Sequence, residues 1–390
     1  MPVESLSNLL LLGASDRHVG KTEYACALIR QQAGRQPVVA VKVTAVSGEG
    51  HSCPRGGDGC GVCGALRGPF CLTEETATAS GKDTARLKAA GADRVFWLRV
   101  RRDRMSEGIR ALRARIADGA CVICESNAVR EVLEPAAFLV LRKASPGPVK
   151  PSCEAVRHHA DREVVFLGDG WDFAPERCRF EGQRWLVPAD ACAAVLAGGQ
   201  SRRMGQDKSL LPFAGRRLIE HILDQLAPVV DEVVIGSNDA AKYACTGHRV
   251  VPDQVPGQGP LMGIVSCVAA ARHSRVFVVA CDIPRLPEAM IRDMLRRARR
   301  ADVVVPRTAE GRYESTMAVY GKAIVPVAQK LLAEGRRKIA DLFREPSLTT
   351  DTITLPAGDW YRNINTPDDY QSALRGGDRD RTESERVITL

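Results

Sequence analysis

The sequence predicts an α/β protein with two doubly wound domains, each built on a largely parallel sheet. Two segments of the 390-residue chain begin in the same way, with a short apolar run, a Gly-rich turn and then a helical pattern. The first segment has its apolar run at residues 8–12, and the second has it at residues 191–196. A strand that leads through a glycine turn into a helix is how α/β folds present backbone N–H groups to phosphate. The length fits two or three domains of roughly 100–200 residues each.

Further apolar runs supply the remaining strands of both predicted sheets. They do not alternate with polar residues, so both faces of each strand should be buried, as in parallel sheets covered by helices. Helical patterns at residues 107–116 and 287–299 fit between them. The runs are residues 38–43, 95–100 and 120–124 in the first half, and residues 232–235, 276–280 and 302–305 in the second.

The domain boundaries follow from composition. We expect a first domain at residues 1–170, a turn-rich linker at residues 171–190 and a second domain at residues 191–374. The tail at residues 375–390 consists mainly of Gly, Asp, Arg, Glu and Ser, and we expect it to be mobile.

Composition and charge exclude several classes of protein. Apolar residues make up 45% and charged residues 26%, which excludes a mainly disordered or fibrous chain. The net charge of +8 suits an anionic small molecule as well as nucleic acid, but only 5% aromatic residues give little support to base stacking, so we expect no nucleic-acid partner. The chain has no run of about 18 apolar residues, so we expect no membrane span. The N-terminus lacks the basic start of a signal peptide. Thirteen cysteines, an odd number, indicate a reducing cytoplasm rather than a disulfide framework.

The first domain carries a variant P-loop, so we expect a P-loop NTPase-like fold. Residues 13–22 end in Gly20-Lys21-Thr22, although Ser15 stands where a glycine is usual. Lys21 would contact the β- and γ-phosphates of a nucleotide and Thr22 a Mg²⁺ ion. Glu125 follows a strand and could support the ion through water, as a Walker-B-like acid. The alternatives are a Gly-Lys-Thr turn that binds nothing and a lone acid at a strand end.

A cysteine-rich insert at residues 51–71 predicts a metal site. Cys60 and Cys63 are spaced to clamp one metal ion through a tight turn, with Cys53 and Cys71 completing four thiolates. Zn²⁺ is the first choice and an iron–sulfur cluster the second. The alternative is a loop of free or redox-active thiols.

The second domain carries the most informative motif, Leu-Ala-Gly-Gly-Gln-Ser-Arg-Arg-Met-Gly-Gln-Asp-Lys at residues 196–208. Its glycines let the backbone approach a nucleotide, and Arg203 and Lys208 are spaced to reach phosphate oxygens. Asp282 follows the predicted strand at residues 276–280, where a carboxylate could hold Mg²⁺. The alternatives are a basic surface loop and a buried Asp–Arg pair.

This segment resembles the signature loop of nucleotidyltransferases, in particular of the molybdenum cofactor guanylyltransferases (MobA type). The resemblance extends over about residues 191–374 through three further motifs, and it implies a Rossmann-like nucleotidyltransferase fold. Cytidylyltransferases of this fold tend to have Leu-Ala-Ala-Gly, so Leu-Ala-Gly-Gly favours guanylyl transfer. The motifs are Gly259-Pro260-Leu261 with Gly263 as a second substrate loop, Cys281-Asp282-Ile283-Pro284, and Asn363-Ile364-Asn365-Thr366-Pro367 before the last helix.

The resemblance also implies the roles of individual residues. Lys208 would bind the phosphates, Asp282 the Mg²⁺, and Asn365 would be a further contact to the metal or to the cofactor phosphate. The family often has Asn where this chain has Gly236, so Asn238 would serve instead. The remaining nucleotide contacts implied are Leu196, Ala197, Gly198, Gly199, Asp253, Gly259 and Pro260.

The implied reaction joins GTP and molybdenum-bound molybdopterin into the guanine dinucleotide form of the cofactor, releasing pyrophosphate. Molybdoenzyme apoproteins or other proteins of the cofactor pathway would be further partners. Residues 7–168 resemble the GTP-binding adaptor protein of the same pathway (MobB type) through Val41-Lys42-Val43-Thr44 and Gly81-Lys82-Asp83-Thr84. One alternative is another nucleotidyltransferase, such as a molybdopterin cytidylyltransferase or a sugar-phosphate enzyme. Another is a non-enzymatic metal or cofactor carrier.

Overall fold

A computed structural model describes residues 4–46, 66–145, 147–198, 207–355 and 363–376 of the chain. Gly199, Arg203, Cys53, Cys60 and Cys63 lie outside these described residues, as does nearly all of the predicted tail. The chain divides into two compact units, which are called unit 1 (Met1–Val187) and unit 2 (Pro188–Leu390). Among the described residues, every helix is too short or too polar to traverse a bilayer.

Unit 1 is built on a seven-stranded sheet with the strand order β3-β4-β2-β5-β1-β6-β7. All its strand pairs are parallel except β3 with β4 at one edge. The strands are β1 (Glu4–Ala14), β2 (Val38–Val46), β3 (Phe70–Glu74), β4 (Arg94–Arg101), β5 (Cys121–Glu125), β6 (Leu133–Lys143) and β7 (Arg162–Phe166), followed by the hairpin of β8 (Arg179–Glu181) and β9 (Arg184–Leu186). The helices are α1 (Lys21–Gln32), α2 (Asp83–Ala89), α3 (Met105–Arg113) and α4 (Pro151–Glu154).

The leucine run of β1 shows why this sheet is covered on both faces. Successive side chains of a strand point to opposite faces. Leu10 and Leu12 accordingly pack into one hydrophobic cluster, while Leu9 and Leu11 pack into another. The non-alternating apolar run therefore forms a strand buried on both sides, as the sequence predicts.

Unit 2 has a second seven-stranded sheet, with the order β14-β13-β10-β15-β17-β16-β18. Its strands are β10 (Ala189–Leu196), β13 (Val230–Gly236), β14 (Arg249–Val251), β15 (Arg275–Ala280), β16 (Val303–Arg307), β17 (Met317–Gly321) and β18 (Thr350–Thr354), with a two-stranded ribbon of β11 (Pro212–Phe213) and β12 (Arg216–Arg217). The helices are α5 (Leu218–Leu226), α6 (Ala240–Tyr243), α7 (Pro260–Ala270), α8 (Glu288–Arg297), α9 (Ile324–Ala333) and α10 (Pro367–Gly376).

The sheet of unit 2 is mixed rather than purely parallel. Strand β17 runs antiparallel to both β15 and β16, whereas β10 is parallel to β13 and β15. The expectation of a largely parallel sheet is therefore correct at β10 and its two neighbours, and wrong at β17. The carboxyl ends of β10, β13 and β15 lie at one edge, where the N–H of Ala197 donates to the carbonyl of Gly236 and the N–H of Cys281 donates to the carbonyl of Leu196.

The expected linker at residues 171–190 is not what the structure shows. Phe173 and Trp185 lie in a hydrophobic cluster of unit 1, and the indole N–H of Trp185 donates to the carbonyl of Val122 at 3.1 Å. The segment does contain many turn residues, but part of it forms the hairpin of β8 and β9. The aromatic side chains pack this segment onto the sheet. Burying these large apolar groups stabilises the fold, and an exposed linker would leave them in water.

Candidate active site

The candidate site of unit 2 lies at the carboxyl ends of β10 and β15, which pair in parallel. Lys208 begins a short 3₁₀ turn (Lys208–Leu210), and Asp282 follows β15 by two residues. The Lys208 Nζ atom lies 3.5 Å from the Asp282 carboxylate, and about one sixth of each side chain is exposed. The backbone N–H of Cys281 donates to the carbonyl of Leu196 at 3.0 Å, which ties the end of β15 to the end of β10.

A third residue, Asn365, joins this pair from near the end of the described chain. The Lys208 ammonium donates to the Asn365 Oδ1 atom at 2.9 Å. The Asp369 carboxylate accepts from the backbone N–H of Asn365, and the N–H of Ile364 donates to the carbonyl of Asp282 at 2.9 Å. The motif expected before the last helix therefore lies against Asp282, immediately before α10.

The Asp282 carboxylate has an environment that suits a metal ion. Its Oδ1 atom is buried and has no hydrogen-bond partner among the described residues. Burial raises the pKa of Asp282, while the Lys208 ammonium acts in the opposite direction. A buried carboxylate oxygen without a donor is costly unless it gains a partner. Mg²⁺ prefers oxygen ligands and keeps several waters, so the carboxylate of Asp282, with the Asn365 amide oxygen nearby, fits such an ion.

Asp253 and Asn238 face each other beyond the carboxyl ends of β14 and β13. The Asn238 amide donates to the Asp253 carboxylate at 2.9 Å, and the Asp253 backbone N–H donates to the Asn238 Oδ1 atom at 2.8 Å. The structure thus brings together two residues expected to contact the nucleotide, although they are 15 positions apart. The reciprocal bonds fix the Asp253 carboxylate, which leaves its other oxygen available as an acceptor.

Gly236 stands where the resemblance leads us to expect an asparagine, and the packing around it leaves little room for a side chain. A Cβ atom at Gly236 would lie 2.9 Å from the Cys267 Sγ atom and 3.0 Å from the Leu196 Cδ2 atom. Both neighbours are packed in the core of unit 2. A larger side chain at position 236 would therefore require these residues to move.

The expected second substrate loop is the start of a helix. Gly259 is the N-cap of α7 with a φ of 82°, and Pro260 is the first residue of the helix. Proline suits this position because its missing N–H would have no helical partner there. Gly263 lies within the helix, where a Cβ atom would meet the Asp253 Oδ1 atom at 3.5 Å. The expectation of a loop is therefore wrong beyond Gly259, but the residues do lie beside Asp253.

Sequence reasoning missed one group of residues beside the site. The Tyr243 hydroxyl donates to the carbonyl of Ala197 at 3.1 Å and lies 2.9 Å from the Ser209 Oγ atom. Lys242 forms an ion pair with Asp207. The only signal in the sequence is the proximity of Asp207 and Ser209 to Lys208, because α6 carries no motif of its own.

Unit 1 has a second candidate site at the carboxyl ends of β1 and β5, which are parallel neighbours. Gly20 has a φ of 67°, which favours glycine, and α1 begins at Lys21. The Lys21 Nζ atom lies 4.0 Å from the Glu125 carboxylate, whose side chain is almost completely buried. Neither carboxylate oxygen of Glu125 has a hydrogen-bond partner among the described residues. The strand–turn–helix context expected for a P-loop is present, with Thr22 buried in the first turn of α1.

The two motifs that carry the adaptor resemblance also meet in unit 1. Lys42, in β2, forms an ion pair with Asp83, the first residue of α2. Burial raises the pKa of Asp83, but the ion pair with Lys42 and the charge of Lys21 together hold it below its usual value. Cys71, the one described member of the expected cysteine cluster, lies in β3, where its Sγ atom accepts from the Arg99 guanidinium at 3.1 Å.

Comparison with known proteins places the C-terminal unit in a family. A family model described as the MobA-like NTP transferase domain matches residues 193–349. A probable molybdenum cofactor guanylyltransferase from Carboxydothermus hydrogenoformans is 35% identical over 189 residues, which cover 47% of this chain and 94% of that protein. A protein of the same description from Pelotomaculum thermopropionicum is 32% identical, covering 49% of this chain and 96% of that protein.

A solved structure of molybdopterin-guanine dinucleotide biosynthesis protein A from Archaeoglobus fulgidus matches 48% of this chain and 99% of that protein, with 22% identity and a TM-score of 0.42. The match to the Carboxydothermus protein spans nearly its whole length. Through its C-terminal unit, the chain therefore belongs to the molybdenum cofactor guanylyltransferase family.

Proposed function

We propose that unit 2 transfers GMP from GTP to molybdenum-bound molybdopterin in a Mg²⁺-dependent reaction, giving the guanine dinucleotide cofactor and pyrophosphate. The observation that supports this most directly is the cluster of Lys208, Asp282 and Asn365 at the carboxyl ends of two parallel strands. Ligands of open α/β sheets bind beyond the carboxyl ends of the strands. The relatives named above are described as guanylyltransferases of the same cofactor.

The chemistry requires charge stabilisation more than proton transfer. An oxygen of the terminal phosphate of the pterin attacks the α-phosphorus of GTP, and the bond to the β-phosphate oxygen breaks as pyrophosphate leaves. The attacking phosphate is already anionic, so no general base is needed. Lys208 would offset the charge that develops on the phosphates. Asp282 would hold Mg²⁺, which neutralises the triphosphate when bound.

The choice of guanine would depend on Asp253 and Asn238. Asp253 is held by two hydrogen bonds with Asn238, one to its carboxylate and one from its backbone N–H, so the carboxylate is well placed to accept from the N–H groups of guanine or from ribose. Gly198 would allow close approach of the nucleotide, as would Leu196 and Ala197 through their backbone. In this proposal Gly199 keeps the nucleotide contact that the resemblance implies, and Arg203 keeps the phosphate contact expected from its spacing in the motif.

Product analysis tests this proposal and separates it from the cytidylyl alternative. The purified full-length protein is incubated with molybdenum-bound molybdopterin, Mg²⁺ and either GTP or CTP, and the pterin products are separated by chromatography. We expect the guanine dinucleotide and pyrophosphate with GTP, and neither product with CTP. A cytosine dinucleotide would reject guanylyl transfer. No consumption and no binding of either nucleotide would favour a carrier.

We infer in addition that unit 1 binds a nucleotide at its P-loop-like turn and assists the transferase, as the MobB-type adaptor resemblance implies. Glu125 supports this inference, because its buried oxygens have no hydrogen donor among the described residues although Lys21 lies 4.0 Å away. Mg²⁺ held through water would supply the missing partner, with Thr22 as a further oxygen ligand.

We keep a metal site at Cys53, Cys60, Cys63 and Cys71 as a proposal. Zn²⁺ or an iron–sulfur cluster fits four thiolates. Metal analysis of the purified Cys60→Ser/Cys63→Ser double variant should show less zinc or iron than the wild-type protein. Equal metal contents would reject the site.

A further inference from the structure

Four side chains link the two flanks of the signature segment: Asp207, Ser209, Lys242 and Tyr243. We call them the loop clamp. Tyr243 is fully buried at the end of α6, and its hydroxyl donates to the carbonyl of Ala197 at 3.1 Å. The same hydroxyl lies 2.9 Å from the Oγ atom of Ser209, the residue that follows Lys208. One hydroxyl group therefore touches both the backbone after β10 and the turn that carries Lys208.

The second half of the clamp holds the Lys208 turn itself. The Asp207 carboxylate accepts from the backbone N–H of Ser209 at 3.0 Å and from its Oγ atom at 2.6 Å, as an N-cap does. Lys242 pairs with the same carboxylate from α6, with its Nζ atom 5.0 Å from the centre of the Tyr243 ring. The turn around Lys208 is thus fixed to α6 by the ion pair of Lys242 with Asp207, and it contacts Tyr243 at the next position of the helix.

The hydroxyl groups of Ser209 and Tyr243 donate to different acceptors. Each hydroxyl has a single hydrogen to donate. The Asp207 carboxylate and the Ala197 carbonyl are acceptors only, so the first requires the hydrogen of Ser209 and the second that of Tyr243. Burial raises the pKa of Tyr243, which keeps this hydroxyl protonated and able to donate. The bond from Tyr243 to Ala197 therefore persists without Ser209, but not without the tyrosine hydroxyl.

We propose that Tyr243 is a positioning residue for the nucleotide, which sets the backbone of residues 196–198 relative to Lys208. This inference rests on the proposed function of unit 2, because the same backbone would receive the guanosine portion of GTP. Tyr243 would touch neither the substrate nor the reacting atoms. Its hydroxyl would act through Ala197, and the Lys242–Asp207 pair would hold the opposite flank.

The Tyr243→Phe variant tests the proposal, because it removes the hydroxyl and keeps the ring. We expect the KM for GTP to rise about fivefold, the effect of losing one hydrogen bond to a buried carbonyl. The kcat should stay within about twofold, since the guanosine contacts act alike in the ground state and the transition state. Ser209→Ala should change the KM less than about twofold, because it leaves the bond to Ala197 intact.

Tyr24→Phe is the matched control, since Tyr24 is also fully buried but lies in unit 1, with its hydroxyl against the Cys178 thiol. Thermal unfolding and amide hydrogen exchange are measured for every variant. We expect faster exchange in residues 196–198 of Tyr243→Phe and wild-type exchange there in the control. An unchanged KM would show that the hydroxyl does not position the nucleotide, and a Tyr243→Phe protein that does not fold would show that the hydroxyl serves the fold as a whole. Either result would overturn the proposal.

The design separates this inference from the proposed function. If the wild-type protein does not turn over GTP, the proposed function fails, and hydrogen exchange alone decides on Tyr243. Exchange in residues 196–198 that is equal in Tyr243→Phe and in the control would then reject the positioning role, and faster exchange would support it.

Discussion

Asp282 is the residue on which the proposed chemistry of unit 2 depends most, because its buried carboxylate would hold the Mg²⁺ ion. Its position directly after a buried apolar run indicates a carboxylate at a strand end, and Lys208 belongs to a motif that can be read along the chain. The contact of Lys208 with Asn365 spans 157 positions, and no local pattern encodes it. Tyr243 could not be found at all, because a buried tyrosine in a four-residue helix gives no periodic signal.

The most direct test at the residue scale is Asp282→Asn. The amide is nearly isosteric but cannot supply a charged ligand for Mg²⁺, so we expect transfer to fall by about 10²–10³-fold, the order seen when a key electrostatic contact is lost. Pyrophosphate release from GTP and molybdopterin is the measurement. Asp293→Asn is the matched control, because Asp293 pairs with Arg297 at the surface of α8 and the variant should retain activity within about twofold. Full turnover by Asp282→Asn would remove Asp282 from its assigned role.

The same substitution gives a prediction for stability against pH. Burial raises the pKa of Asp282 in the folded state, so its protonated form is favoured by folding. A group with such a shift stabilises the fold at pH values below its pKa in the unfolded state, which is about 4. This contribution is lost as the pH rises through its pKa in the folded state. The amide introduced by Asp282→Asn does not titrate, and it leaves Lys208 bonded to Asn365. We therefore expect the variant to be at least as stable as the wild-type protein at about pH 7–8.

Unfolding by urea between about pH 4 and pH 8, without added Mg²⁺, measures this difference. The difference in the free energy of unfolding between variant and wild type should shrink as the pH falls toward the lower limit. A variant that is less stable than the wild type at the upper limit, with a deficit that shrinks as the pH falls toward about 4, would mean that the ionised Lys208–Asp282 pair stabilises the fold.

The positions of several strands were predicted from the sequence better than whether they run parallel or antiparallel to their neighbours. The apolar run at residues 276–280 becomes β15 (Arg275–Ala280), and the run at residues 38–43 becomes the longer β2 (Val38–Val46). Strand β17 is not among the predicted apolar runs, and its antiparallel direction was not expected. The direction of a strand depends on the length of the segment that connects it to the strand before it. Residues 308–316, which link β16 to β17, are too few for the crossover of about a dozen residues that a parallel pair needs. The length of this connection therefore indicates an antiparallel pair from the sequence alone.

The β1–α1 element carries the prediction for unit 1. Lys21→Ala removes the cation that would meet the phosphates, so we expect release of inorganic phosphate from GTP to fall at least about tenfold. Molybdopterin-dependent pyrophosphate release by unit 2 should stay within about twofold. Separating the two products assigns each activity to its unit. Arg30→Ala, at the exposed end of the same helix, is the control.

Loss of Lys21 also leaves the buried Glu125 carboxylate without its cation, which is destabilising. Unit 1 of the Lys21→Ala variant should therefore unfold at a lower temperature, and the assays belong at a temperature where it is folded. Equal phosphate release by the folded variant and by the wild-type protein would reject nucleotide hydrolysis at this turn.

At the scale of the whole molecule, the repeated strand–turn–helix opening predicted two units, and the structure gives each unit its own core. Most of the described buried apolar residues fall into four hydrophobic clusters, two within unit 1 and two within unit 2. The segment expected as a linker could not be recognised as part of unit 1 from composition. Its turn residues outnumber Phe173 and Trp185, yet these two aromatic side chains decide where it packs.

Separate cores predict separate unfolding. Leu98, in β4, and Leu226, in α5, are both completely buried, each in a cluster of its own unit. Leu→Ala at such a position costs about 2–5 kcal/mol, which lowers the unfolding temperature of a unit of this size by on the order of 10 °C. Calorimetry of the full-length protein should show that Leu98→Ala lowers one transition and Leu226→Ala lowers the other.

The two variants control for each other, since the chemistry of the substitution is the same and only the unit differs. Heating Leu226→Ala should abolish molybdopterin-dependent pyrophosphate release at a lower temperature than for the wild-type protein, whereas Leu98→Ala should leave that temperature unchanged. A single transition that both substitutions lower equally would show that the two cores unfold together. In that case loss of unit 1 would also carry away the Lys208–Asp282 site, and activity would report on both units at once.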